Sequence, residues 1–165
     1  MRKAYRVMFA SAVAITLGMM LPSGAGFAAS SGDGSSSSSP DSSSSVTALY
    51  AKAQAKVDAK DYRGAMPILE KIIVKDSRNA DALNLMGFCS RRLGNNDEAL
   101  EYYKKALAIN ANHIGANEYL GELYLELKEL PKAEEQLKIL TKVCKGCEEQ
   151  QELEEAIAKY KAGNS

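Results

Sequence analysis

The chain has 165 residues, with 21 basic and 21 acidic side chains, one histidine and three cysteines. So even a balance leaves no basic excess of the kind nucleic-acid binding uses. Apolar residues recur at three- and four-residue spacing rather than alternating, so the expected class is all-α.

The chain opens on a leader. Arg2, Lys3 and Arg6 precede a nearly unbroken apolar run over 7–21, followed by Pro22, Ser23 and small residues up to Ala28. This is the pattern of a secretory signal peptide over 1–28, with cleavage expected after Ala28, where Gly26 and Ala28 are the small residues a peptidase needs. The alternative is an uncleaved anchor, but the run falls short of the ~20 residues a spanning helix requires. No cysteine follows it, which argues against a lipoprotein. Removing the leader's three basic residues leaves 18 against 21, a net charge of −3. Residues 29–45 are dominated by serine. They offer no apolar group able to offset ordering entropy, so a flexible linker is expected.

Seven helices are predicted after it, at about 46–59, 62–75, 80–93, 97–109, 114–127, 131–143 and 148–160. Ser45 suits the N-cap of the first. Asp61 precedes the second, where Pro67 sits slightly deep and removes one backbone hydrogen bond. Gly94-Asn95-Asn96 marks a turn with an Asn cap before the fourth, and Pro131 opens the sixth in the favoured first-turn position. The seventh is too polar for a further hairpin and reads as a terminal cap, with a tail to residue 165.

A fixed step runs through the middle of the chain. Gly87 and Gly121 are 34 residues apart, and the same step links Leu83 to Asn117, Met86 to Leu120, Ala99 to Ala133 and Tyr103 to Leu137. Backwards it reaches Leu49, Ala53, Ala65 and Leu69. Small and large apolar residues returning in phase mark a stacked helical repeat. Gly87 and Gly121 are read as letting the two helices of one hairpin approach closely, with Ala65, Ala99 and Ala133 facing them.

Met86-Gly87, Gly94, Ala99, Tyr103 and Ala106-Leu107, then Leu120-Gly121, Tyr124 and Ala133, then Tyr62, Ala65 and Leu69 resemble the tetratricopeptide repeat, in a small secreted form that fits a bacterial source. The chain departs from that family at Leu83 and Asn117, where it prefers Trp, and at Ala111, where it prefers Pro. The resemblance implies an α-solenoid of three hairpins over 46–147 (about 46–79, 80–113 and 114–147) with 148–165 as capping helix and tail. It also implies a concave groove lined by Tyr50, Gln54, Asn84, Phe88, Arg91, Glu118, Glu122 and Leu125. Phe88 between Asn84 and Arg91 suits a peptide anchor. The basic-and-Asn clamp of chaperone-binding members is absent, since Tyr50, Gln54, Gly115 and Tyr119 stand in its places. Glu118 and Glu122 favour a partner with some positive charge.

Cys144-Lys145-Gly146-Cys147 has three readings. An oxidising compartment favours a structural disulfide that sets the angle of the last helix. Thiol exchange is the second, although such motifs usually follow a strand and Glu148 and Glu149 oppose thiolate formation. Metal binding is the third, without further ligands nearby. Cys89 is expected to be a buried, free thiol. His113 falls in a turn as an exposed or capping residue. No phosphate-cradling loop or metal cluster is legible, so neither catalytic residues nor cofactors are expected. The expectation is a secreted, periplasmic, non-catalytic scaffold that binds a peptide or protein. Its only membrane contact would come through an uncleaved leader. A thiol–disulfide protein and a self-assembling subunit, a homo-oligomer stacked through its ends, are the alternatives.

Overall fold

The structure is a computed structural model that describes residues 42–163; the leader and residues 29–41 of the linker lie outside them. The described residues form seven helices and no strand: α1 (Ser42–Asp58), α2 (Tyr62–Lys75), α3 (Ala80–Arg92), α4 (Asn96–Ile109), α5 (Ile114–Glu126), α6 (Leu130–Val143) and α7 (Glu148–Gly163). The fold is the all-α solenoid, with α1–α2, α3–α4 and α5–α6 as hairpins and α7 packed against α5 and α6. Boundaries fall within a residue of the spacing, with two exceptions. The first helix starts at Ser42, inside the expected linker, and α7 runs on to Gly163.

Caps explain why the helices start where they do. Asp61 Oδ1 accepts from Gly64 N at 2.9 Å, Asn79 Oδ1 from Ala82 N at 2.9 Å and His113 Nδ1 from Ala116 N at 3.1 Å. Each satisfies a backbone N–H that the helix itself leaves without a partner. Asn95 departs from expectation. It occupies the N-cap of α4 but makes no side-chain cap bond.

The hairpin turns share one unusual backbone position. Lys60, Gly94 and Lys128 are successive 34-residue equivalents, and all three are left-handed, at φ 60°, 85° and 62°. Gly94 adopts this freely, whereas a lysine Cβ crowds the backbone there.

Packing runs in two larger apolar clusters. One holds Ala53, Ala65, Leu69, Ile72 and Met86 from the first three helices; the other holds Tyr103, Leu120, Leu123, Leu140 and Leu153 from α4 to α7. A Cβ on Gly87 would stand 2.6 Å from the Tyr103 ring, which is fully buried and cannot retreat. Gly87 therefore closes the α3–α4 hairpin, as its spacing suggests. Gly121 does something else. Its open side is filled by Leu153 of α7, 2.5 Å from where a Cβ would lie, ahead of Gln136 of α6 at 3.3 Å. The seventh helix thus takes the place of a next first helix.

Gly87→Leu is expected to destabilise the protein by ~1–3 kcal/mol in urea unfolding, because it overpacks a crossing that cannot open. Lys128→Gly is expected to raise stability by ~0.5–1 kcal/mol in the same assay, the relief of left-handed strain exceeding the added chain entropy.

Candidate functional site

The 34-residue register assembles one face from the first helices. Tyr50, Asn84 and Glu118 are equivalents in one row; Gln54, Phe88 and Glu122 form the next. Tyr50, Gln54, Asn84, Phe88, Arg91 and Glu122 are half-buried on α1, α3 and α5. Glu118 and Leu125 differ from the expected groove lining. Glu118 is only 4% exposed because it faces α7, and Leu125 joins the apolar cluster of Leu123 and Ile157.

Phe88 is the centre of an aromatic ledge. Its ring centroid lies 6.0 Å from that of Tyr62, edge-on, and 5.2 Å from that of Tyr119. The Arg92 guanidinium stands 5.6 Å from the Tyr62 centroid and 6.0 Å from that of Phe88, within cation–π range. Phe88 is therefore held from both sides rather than freely exposed.

Arg91 is committed to the fold. Its Nη1 donates to Glu122 Oε2 at 2.6 Å, and its Nη2 to Glu126 Oε1 at 2.7 Å, which ties α3 to α5. Burial works against its charge, but the two carboxylates outweigh burial and raise its pKa further. An arginine answered twice within the protein has little left for a ligand carboxylate.

Glu118 is the most perturbed group of the face. Burial, then a hydrogen bond with Glu152, then the charges of Glu122, Glu152 and Glu149, push its pKa up to about 9. It is held neutral near pH 7 and shares a hydrogen bond across the α5–α7 contact.

Several residues outside the expected set position this face. His113 caps α5 through Nδ1 while its Nε2 lies 3.0 Å from Asp81 Oδ1 on α3. With Nδ1 accepting, Nε2 carries the hydrogen and donates to Asp81. Asn117, fully buried where the repeat prefers Trp, donates to Ala111 O at 3.1 Å and His113 O at 2.9 Å. It holds the start of α5 to the preceding turn by hydrogen bonds instead of bulk.

The cysteines occupy register positions too. Cys144 and Cys147 are bonded, with Cα atoms 5.5 Å apart. Cys144 is the 34-residue equivalent of Asn110 and Asp76, and Cys147 that of His113 and Asn79. In the first of these joints Asn79 Nδ2 donates to Asp76 Oδ2 at 3.1 Å. The cysteine bond spans the same two positions in the last. Cys89 is free and fully buried, and burial pushes its thiol up to about 12. That is an inert thiol near neutral pH.

An apolar cleft of about 510 Å³ is lined by Ile73, Val74, Leu83, Met86, Tyr102 and Ile109 among others, with Val74 86% exposed. Among the described residues no group of three or more His, Cys, Asp or Glu side chains is placed to hold a metal ion. Among the same residues, no helix is long and apolar enough to cross a membrane.

Comparison with known proteins follows the same register. Residues 80–113, which contain α3 and α4, match the tetratricopeptide repeat. An uncharacterized protein, ycf37 of Pyropia yezoensis, is 32% identical over 81 residues, which are 49% of this chain and 43% of that protein. The chain thus spans less than half the length of the curated relative it matches. Among solved structures, the type III secretion chaperone SycD of Yersinia enterocolitica, in complex with a peptide of the translocator YopD, is similar at TM-score 0.64 and 18% identity. That match covers 74% of this chain and 96% of SycD. PcrH, in complex with the chaperone binding region of PopD, matches at TM-score 0.65 and 18% identity over 74% and 96%. The first tetratricopeptide repeat domain of Spaghetti (RPAP3), bound to an HSP90 peptide, matches at TM-score 0.65 and 18% identity over 73% and 95%. At these identities the likeness is one of fold.

Glu118 makes stability pH-dependent in a defined direction. Its folded pKa, about 9, lies above its ordinary value of 4.5, so the folded state binds the extra proton across that window. Its contribution is complete below about pH 4.5 and declines as pH rises towards 9. Glu118→Gln, which cannot ionise, is expected to flatten that decline. Urea midpoints at pH 5 and pH 9 should separate variant from wild type by at least about 1 kcal/mol more at the higher pH.

Proposed function

Because the chain is a tetratricopeptide-repeat protein, we propose that it is an exported scaffold that holds a peptide or protein segment against the face of α1, α3 and α5. It performs no chemistry of its own in this reading. The observation that carries it is the aromatic ledge of Tyr62, Phe88 and Tyr119 on that face, with Phe88 half-buried and Arg92 over two of the rings. Aromatic and arginine side chains in partly covered pockets are the residues that anchor partners most strongly. The structural neighbours SycD and the RPAP3 domain were solved with a bound peptide, and PcrH with the chaperone binding region of PopD, which supports the same use of the fold here.

Export and a periplasmic address rest on the leader over 1–28, an oxidising compartment being one in which the Cys144–Cys147 pair stays bridged. The pair serves as a fixed joint: it replaces the Asp76–Asn79 hydrogen bond at equivalent positions, and among the described residues no strand leads into it.

Affinity capture with the wild-type protein on envelope extract, beside Phe88→Ala, tests the reading. The variant is expected to keep its helical circular dichroism, lose a few degrees in thermal midpoint because two ring contacts go, and retain its partner at least about tenfold less well. A retained set unchanged by Phe88→Ala refutes the use of this face.

A further inference from the structure

The second helices carry an apolar residue that the repeat does not ask for. Val74, Ala108 and Lys142 are 34-residue equivalents on α2, α4 and α6, so the position accepts a full charge. In α2 it holds a β-branched residue, a slightly poor helix former. At 86% exposure Val74 also contributes almost no burial to the fold. Beside it the surface is hollow. The cleft of about 510 Å³ is lined by Ile73 of α2, Leu83 and Met86 of α3, and Tyr102 and Ile109 of α4. A projecting apolar side chain and an apolar hollow thus share one surface, the kind of patch that marks an interaction site.

The same surface holds one charge of each sign, Glu70 on α2 and Lys105 on α4. The Lys105 ammonium stands 5.6 Å from the centroid of the Tyr102 ring. Burial first, then the carboxylates of Glu98 and Glu70, raise the pKa of Tyr102, so Glu70 lies within electrostatic reach of that ring too. Both charged residues are exposed, and among the described residues neither forms a salt bridge. A surface with a knob and a hole, and with a cation and an anion, is complementary to itself under a two-fold rotation. In that symmetry whatever residue i gives to residue j is returned.

We propose that two copies of this chain pair through the cleft of α2 and α4, each Val74 entering the partner's cleft and each Glu70 meeting the partner's Lys105. The occupant is a second copy because one surface supplies both members of each complementary pair. Tyr62, Phe88 and Tyr119 do not line the cleft, so pairing here leaves the aromatic ledge unused and joins two such ledges in one particle. With so few anchoring groups, the interface belongs among the small, reversible ones.

Sedimentation velocity on the purified protein between about 1 and about 500 μM tests it. The wild type is expected to pass from monomer to dimer across that range. Val74→Glu, a change at an exposed site, should stay monomeric with its helical circular dichroism intact. Glu70→Lys and Lys105→Glu should each weaken the dimer at least about tenfold by setting like charges together, and the double reversal should return it to within about threefold of wild type. Phe88→Ala is expected to leave the dimer unchanged. A wild type that is monomeric throughout gives the cleft to some other partner and overturns the proposal. Association that survives Val74→Glu, or that disappears with Phe88→Ala, belongs to another surface and overturns it as well. Single reversals without effect, or a double reversal without recovery, remove the charge pairing and with it the case for a second copy.

Discussion

A hairpin of two amphipathic helices always leaves one apolar flank uncovered, and everything else in this protein follows from how that flank is closed. The flank of each hairpin is met by the first helix of the next, so covering it requires strict repetition of which residues are small and which are large. Tyr103 over Gly87 closes one hairpin internally, and Leu153 over Gly121 closes the last one from outside. The second closure is what makes α7 necessary. Without it, Gly121, Leu123 and Leu140 would border an open apolar surface at the end of the chain.

The same register that builds the core also builds the face. Side chains that point away from the stacking flanks recur on α1, α3, α5 and α7, so polar and aromatic groups far apart in sequence are brought into rows. The rows differ in character along their length. At Phe88 they are aromatic, with Arg92 above; at α5 and α7 they are carboxylates, with Arg91 consumed in holding α3 to α5. A bound chain would therefore meet an apolar region and an acidic region in fixed order.

Much of this was legible in the letters. Helix positions followed from three- and four-residue spacing, and the hairpins from a step of 34. Three things were less so. Gly121 was readable as a site of close approach, but not that the approaching group is Leu153, because α7 is too polar to announce itself as a repeat. Glu118 belonged to the face by phase, yet its burial depends on α7 lying beside it, which no local pattern encodes. Arg91 lined the groove by phase, but its commitment to Glu122 and Glu126, more than thirty residues away, leaves no local trace. The letters carry one further signal: the step of 34 taken once more past Glu118 reaches Glu152, and from Asp76 and Asn79 it reaches Cys144 and Cys147.

The left-handed turn residues carry a consequence for how the molecule breathes. The outer hairpins turn through Lys60 and Lys128, which resist that geometry, whereas the middle one turns through Gly94. Local opening in a stacked array costs least where a unit is strained. Amide protons of α3 and α4 would thus be the last to exchange with solvent. The two ends would fray around a persistent central pair that also carries Phe88, so the anchoring ring sits on the slowest-moving part of the chain.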